Sequence, residues 1–387
     1  MDQSFPQGDD IAQMLAQGSL LGRGGDPGRD KAGEKTPGRG TAEGEGQLFP
    51  GRTQYDASAS PLALPAPAWL LWALLLLTFF LHVIPMNLVL GGSIIGAIAR
   101  VRGRRPDRPH EAALAHIVVK AMPMLISVTV SLGVAALLFL QVPYGRVFFA
   151  SAVVIGWWWL SVIGLLILTY YAAYLMAMRE SSLGAAGTCL AWLIAAVTGL
   201  IALIYGNNMT LMLKPAEMAA LYAADGGGAQ LNLLDATLLP RHLHMVLGAM
   251  AVSGLAIAVL GVVRGKRDHA FGKWAVRYGA FICTAATVVN IFAGLWWLAA
   301  LPRDVLLQFM GRDMRAMGEL LAGILLTLTG AGHTVLAVTG KRPGVMVAIS
   351  AVTLLAGVAM MLLTRDTIRR LSLELAGYQQ VNWVAPQ

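Results

Sequence analysis

The chain has 387 residues, of which 57% are hydrophobic and only 13% are charged, and its formal net charge is +8. A soluble domain needs roughly 25% charged residues to cover its surface. This composition therefore excludes an ordinary soluble protein and indicates that lipid surrounds much of the chain. The basic residues lie mostly between apolar segments, which is typical of membrane topology signals and argues against nucleic-acid binding.

Residues 1–64 differ from the remainder of the sequence. They are rich in glycine, proline and charged residues and lack any hydrophobic period, which predicts a disordered hydrophilic N-terminal tail. The segment has no apolar core of the kind found in secretory signal peptides. It is either a genuine tail or the product of a start codon assigned too early.

Between residues 65 and 365, apolar segments of about 20 residues recur, each long enough to cross ~30 Å of hydrocarbon as a helix. We predict eight spans, at 67–100, 116–140, 148–177, 184–205, 241–263, 277–300, 316–339 and 344–364. Lipid admits only helices or closed barrels, and continuous apolar runs lack the alternation of barrel strands. The sequence therefore predicts an all-α polytopic transmembrane helix bundle, followed by a periplasmic C-terminal tail at 366–387.

The short loops predict the orientation of the bundle. Basic residues are concentrated in the loops after the first, fifth and seventh spans: Arg100, Arg102, Arg104, Arg105 and Arg108; Arg264, Lys266, Arg267, Lys273 and Arg277; Lys341 and Arg342. The positive-inside rule places these loops in the cytoplasm. We therefore expect a multi-pass protein of the bacterial cytoplasmic membrane with both termini outside. Arg365, Arg369 and Arg370 then lie outside, against the trend.

The two cysteines, Cys189 and Cys283, lie in apolar segments and belong to no CxxC or CxxCH pair. This spacing argues against covalent c-type haem, an iron–sulfur cluster or a zinc site. We interpret both as small apolar residues of the bundle.

Ionisable residues inside lipid spans are costly and are candidates for function. Those inside the predicted spans are His82, His244, Glu319 and His333, and His242 and Arg315 lie at span edges. His82 either binds a cofactor or hydrogen-bonds between helices. His242 and His244 are about 200° apart on a helix, so we expect at most one of them to face the bundle interior. Either one binds a ligand while the other meets the membrane interface, or both lie at the interface. For Glu319 the alternatives are a proton-handling group and a paired carboxylate, and we interpret His333 as structural.

Met317 becomes a candidate through its neighbours, since most methionines in apolar helices only fill space. It lies two residues after Arg315, near the outer end of the seventh span, at the same predicted depth as His244. Histidine with methionine is a known axial pair for haem iron in electron-transfer cytochromes. A nearby cation such as Arg315 would suit the haem propionates.

Several short motifs, in order, resemble the haem-bearing large subunit of cytochrome bd quinol oxidases. The stretch HVIPMNLVLGGSIIGAIAR is similar to the family's first helix, and LGVAALLFLQVPYG to its third-helix region. NNMTLMLKP, HLHMVLGAMAVSGLAIAVLG and GKRDHAFGKWAVRYGAF resemble the segment with the low-spin haem ligand. MRAMGELLAG resembles the Arg-x-Met segment. The resemblance covers about residues 67–365.

The resemblance implies that His244 and Met317 hold a low-spin haem b beside Arg315, and that His82 matches the first-helix haem ligand. The chain departs from the family at three places. Gln141 stands where the family has an active-site glutamate, and Leu362 lies near the position of a haem-ligating glutamate. The long quinol-binding loop is also missing, so the oxygen-reducing site is incomplete.

The sequence thus favours a haem b-carrying electron-transfer subunit, with quinone as a further expected ligand. Such a subunit would relay electrons between the quinone pool, or a membrane partner, and a periplasmic c-type cytochrome, within a complex of other membrane subunits. Two alternatives remain: a divergent bd-type quinol oxidase, and a haem-free structural or transport subunit whose histidines join helices.

Overall fold

A computed structural model describes residues 66–377, so the predicted N-terminal tail at 1–64 lies outside the described residues. The described part is helical and contains no strand. Eight of its helices are long and apolar enough to cross a membrane, which confirms the predicted all-α bundle. These eight are α1 (Ala68–Arg102), α2 (Pro109–Val154), α3 (Gly156–Arg179), α4 (Gly184–Leu211), α6 (Leu238–Arg264), α7 (His269–Ala299), α9 (Met314–Thr339) and α10 (Pro343–Leu375).

The remaining elements connect spanning helices at one end of the bundle. Helix α5 (Pro215–Ala224) lies between α4 and α6, and α8 (Arg303–Leu307) lies between α7 and α9. A π-helical turn (Gln308–Arg312) follows α8. We call this the loop-rich end, and we call the other the basic-loop end, because its short connections carry the basic clusters described above.

The spanning helices pack as two groups. The first four share one apolar core, to which α1, α2, α3 and α4 all contribute. The last four pack through small residues: a methyl group at Gly254 or Gly279 would overlap the backbone of the facing helix, α7 or α6 respectively. Helices α1 and α6 join the two groups. Gly91 lies directly against the backbone of Ala249, and the Ser253 hydroxyl donates to the Asn87 carbonyl over 3.0 Å.

Two helix boundaries differ from the prediction. Helix α2 continues through the predicted gap at 141–147 to Val154, with one non-helical residue, Tyr144, directly after Pro143. Proline removes one backbone donor and kinks the helix without ending it.

Helix α10 also extends beyond its predicted end at residue 364, to Leu375. The boundary of the predicted C-terminal tail at 366 is therefore wrong, because Asp366, Arg369 and Leu373 are buried helical residues of the bundle. Most polar side chains of 364–370 are buried, namely those of Thr364, Asp366, Thr367 and Arg369, although their polarity is typical of an exposed tail.

An ion pair joins the two ends of the segment that connects α4 to α6 at the loop-rich end. Lys214 Nζ lies 2.6 Å from Asp235 Oδ2, and the Thr237 amide and hydroxyl donate to Asp235 Oδ1. Burial alone would raise the pKa of Asp235, but the hydrogen bonds from Lys214 and Thr237 outweigh it and lower the pKa. Burial likewise opposes the hydrogen bonds to Asp235 and Glu217, which nevertheless raise the pKa of Lys214.

We expect this attachment to be strongest between about pH 4 and pH 10, the range bounded by the ordinary values of the two groups. A lowered carboxyl pKa stabilises the fold above its unfolded value, and this contribution is lost as the pH falls through the folded pKa. A raised lysine pKa stabilises the fold below its unfolded value, and this is lost as the pH rises through the folded pKa.

Asp235→Asn should weaken the connection by about 1–2 kcal/mol, because it leaves Lys214 without its closest acceptor. Amide hydrogen exchange over residues 212–237 at pH 7 measures the effect, and we expect it to accelerate about five- to thirtyfold. Asp225→Asn, at an exposed position of the same connection, is the control. Equal acceleration in both variants would contradict the assignment.

Candidate functional site

A cavity of about 500 Å³ lies inside the bundle and reaches toward its loop-rich end. An engineered apolar cavity of ~150 Å³ already holds benzene, so this one has room for a ligand of several rings. Its wall is mainly apolar and is formed by all eight spanning helices. The polar side chains in the wall include His82, His242, His244, Asn290, Arg241, Arg365, Asp366 and Arg369.

His82, on α1, has one ring nitrogen fixed by the neighbouring helix. Its Nδ1 lies 3.0 Å from the Thr129 carbonyl of α2. One helical turn further along α2, Gly133 leaves the space for the imidazole: a Cβ there would lie 2.8 Å from His82 Cε1. Because a carbonyl only accepts, Nδ1 carries the proton.

His244, on α6, repeats the arrangement against α7. Its Nδ1 lies 3.2 Å from the Asn290 carbonyl. Gly294, four residues further, makes room for the ring, since a Cβ at that position would lie 3.0 Å from both Cε1 and Nδ1 of His244. The Trp297 ring packs beside the imidazole at 5.9 Å between centroids.

The two imidazoles are therefore held in the same orientation and tautomer. With Nδ1–H donating to a backbone carbonyl, the lone pair of each ring resides on Nε2. Neither Nε2 has a hydrogen-bond partner among the described residues, and neither is fully buried. A histidine that binds a metal typically donates its other N–H to a carbonyl, which fixes the ring and its tautomer. Both histidines can thus present a ligating nitrogen to the cavity.

Three arginines surround the loop-rich part of the cavity. Arg241 donates to the Thr210 hydroxyl over 3.0 Å and lies 5.6 Å from the centre of the Trp297 ring. Arg365 lies over Phe79 at 4.5 Å, and Arg369 over Tyr144 at 5.0 Å. Aromatic faces favour guanidinium groups in this geometry.

Only one carboxylate accompanies these arginines in the cavity wall, that of Asp366. Its two oxygens accept hydrogen bonds from Arg369 Nη1 at 3.0 Å and Trp72 Nε1 at 2.8 Å. Three guanidinium groups against one carboxylate leave a formal charge of +2 on the wall. Buried charge of this kind requires compensation, so the wall suits a ligand with two anionic groups.

Met317 and Arg315 do not line the cavity. Met317 lies on the face of α9 that includes Leu320 and Ile324, but one turn closer to the loop-rich end than these wall residues. Arg315 is exposed over 64% of its side chain and pairs with Glu319 at 2.9 Å. The structure therefore brings His82 and His244 to one cavity and leaves both α9 candidates outside it.

The other ionisable candidates have protein partners. Glu319 is buried and accepts hydrogen bonds from Arg315 Nε and from the Thr367 hydroxyl at 2.7 Å, as expected of a paired carboxylate. His333 lies 2.8 Å from the Thr329 carbonyl of its own helix and does not line the cavity.

His242 does line the cavity, together with His244. The expectation that at most one of the two would face the interior is wrong. The geometric premise holds, but the cavity extends along more than one side of α6.

Among residues 66–377, no group of three or more histidine, cysteine, aspartate or glutamate side chains is arranged to hold a metal ion. A porphyrin needs no such group, because it supplies four nitrogen ligands itself and takes only axial ligands from the protein.

Arg365, Arg369 and Asp366 were not identified from the sequence as site residues, because they follow the last predicted span. One feature of the sequence could have identified the arginines: Arg365 and Arg369 are basic residues on the predicted outer side, against the positive-inside rule. Arg241, next to His242, is a further cavity residue that the sequence did not identify.

No protein-family model matches the chain, and comparison with curated proteins finds no significant match. The resemblance to the large subunit of bd oxidases therefore rests on the short motifs alone.

Proposed function

We propose that this protein is a haem b-carrying electron-transfer subunit of a respiratory complex in a bacterial cytoplasmic membrane. It relays electrons between the quinone pool, or a membrane partner, and a periplasmic c-type cytochrome. His82 and His244 would hold the haem iron through their Nε2 atoms. When bound, the haem provides a one-electron redox centre, and the protein holds and orients it.

The observation that carries this proposal is that the two imidazoles are fixed and oriented in the same way. Each donates Nδ1–H to a carbonyl of the next helix, packs against a glycine one turn further on, and leaves Nε2 open to the same cavity. Histidines that serve only to join helices would not need a large cavity at their second nitrogen.

The charge of the cavity supports the same ligand. Haem b carries two propionates, and the three arginines with Asp366 leave +2 to be balanced. We assign the propionates to these arginines, at the loop-rich end, instead of to Arg315, which the motif resemblance implies. Under the positive-inside rule this end faces the periplasm, where a soluble cytochrome would dock.

A pyridine haemochrome assay and a reduced-minus-oxidised spectrum of the purified full-length protein test the proposal. We expect haem b absorption in the wild type. Protein that is folded and monodisperse but contains no haem b would overturn the proposal and favour a structural or transport role. Oxygen consumption with a quinol donor separates an oxidase from an electron-transfer subunit, and we expect none.

Met317→Leu should leave the haem spectrum and midpoint potential unchanged, because the side chain lies outside the cavity and the substitution conserves volume and apolarity. Redox titration of the purified variant measures this. A clear fall in potential would instead restore Met317 as an iron ligand, since loss of a thioether ligand lowers the potential.

Gly133→Ala should displace the His82 imidazole, because the added methyl would approach Cε1 to 2.8 Å. We expect a lower haem content or a shifted spectrum with the protein still folded. Gly199→Ala in α4, where a Cβ meets nothing within 4 Å, is the matched control. Identical spectra for both variants would argue against an iron-binding role for His82.

A further inference from the structure

His242 also lines the cavity, on the side of α6 opposite to His244. The two residues are two positions apart and therefore about 200° apart around the helix. His244 packs on α7. His242 shares its helix face with Leu238, one turn earlier, whose side chain lies against Gly206 of α4. The cavity thus has an α4 side, to which His242 belongs.

The imidazole of His242 lacks the Nδ1 hydrogen bond that fixes the other two rings. Its Nδ1 is buried and has no hydrogen-bond partner among the described residues. To ligate iron through Nε2, the ring would have to carry its proton on Nδ1, where no acceptor is available. Either neutral tautomer leaves Nδ1 unpaired, but an orphaned buried N–H is rarer in proteins than an under-satisfied acceptor, so we assign the proton to Nε2. His242 therefore offers the cavity an N–H donor instead of a ligating lone pair.

The α4 side of the cavity is mainly apolar and aromatic: the Thr169 and Thr198 hydroxyls on it donate to carbonyls of their own helices, and Arg241, bonded to Thr210, lies at its loop-rich edge. Its wall includes Leu166, Ile201, Ala202, Tyr205 and Met209. The single carboxylate of the whole cavity wall, Asp366, is already bonded to Arg369 and Trp72. The occupant that fits a mainly apolar slot with a neutral N–H donor is a planar, uncharged ring with a carbonyl oxygen and an apolar tail.

We propose that the α4 side of the cavity binds a quinone, with His242 Nε2–H donating to a ring carbonyl. The inference deepens the proposed function, on which it rests for the use of quinone as a redox partner. It gives the quinone a place inside the helix bundle, next to the arginine-lined part of the same cavity.

Isothermal titration of the purified full-length protein in detergent with a ubiquinone bearing one isoprene unit tests the site. An empty-micelle titration is subtracted. We expect His242→Leu to weaken binding at least fivefold. His242→Gln, which keeps an N–H donor, should bind within about threefold of the wild type. His333→Leu, a span histidine outside the cavity, should bind like the wild type.

Haem content, measured on the same samples, separates this inference from the proposed function. Haem b present with quinone binding unaffected by His242→Leu would overturn the quinone site alone. Binding that depends on His242 in protein without haem b would overturn the proposed cofactor and leave the site standing. Loss of haem b in folded His242→Leu protein would show that His242 ligates iron, and would overturn the donor role.

Discussion

His244→Ala should lower the haem b content of the protein, by the whole amount if one haem is bound, while the protein remains folded. The substitution removes the Nε2 atom that would bind the haem iron, together with the contact from the ring to the Asn290 carbonyl. The ring of His244 packs against Gly294 and Trp297, so the cavity grows but the contacts between α6 and α7 through Gly254 and Gly279 are untouched. Haem content per polypeptide, by pyridine haemochrome, is the measurement.

His333→Ala provides the control, because this histidine is also in a span but bonds only within α9. It should retain full haem content. Comparison with His82→Ala and the double variant tells how the two imidazoles are used. A single shared iron predicts that each variant alone removes the whole signal, whereas two irons predict that the losses add. Full haem content in all three variants would rule both histidines out as ligands.

Arg365→Gln should lower the midpoint potential of the haem by roughly 70 mV. Removal of a positive charge disfavours the reduced iron. For an assumed separation of roughly 10 Å from the iron and an effective dielectric constant near 20, one charge contributes about 1.7 kcal/mol. A free energy of about 1.4 kcal/mol corresponds to about 59 mV for one electron. Among the described residues, no acidic side chain pairs with Arg365, so its charge is available to a bound anion.

Two arginine variants serve as controls for this titration. Arg370→Gln changes a neighbour on α10 that pairs with Glu374 at 3.5 Å and does not line the cavity. Arg315→Gln tests the arginine that the motif resemblance implies. We expect shifts of less than about 20 mV in both, since solvent screens charges that are exposed or distant. A larger shift from Arg315→Gln than from Arg365→Gln would reverse our assignment of the propionate partners.

The helical bundle and its eight spans could be predicted because lipid imposes a local rule. A segment that crosses hydrocarbon must satisfy its own backbone and must be apolar for about 20 residues, and both properties can be read from a single stretch of sequence. The same rule failed at residues 366–375. There, buried polar side chains such as Asp366 and Arg369 resemble solvent-exposed ones until their partners on other helices are known.

The candidate site also has a part that the sequence could predict and a part that it could not. The sequence by itself identified His82 and His244, because an ionisable residue within an apolar span is conspicuous. It could not reveal that Thr129 and Asn290 fix their rings, that Arg365 and Arg369 turn inward, or that Met317 lies one turn outside the cavity. Those features depend on the packing of helices that are far apart in the chain, and small residues such as Gly133 and Gly294 set that packing. Single residues of the site follow from local chemistry, whereas the cavity that joins them exists only in the tertiary structure.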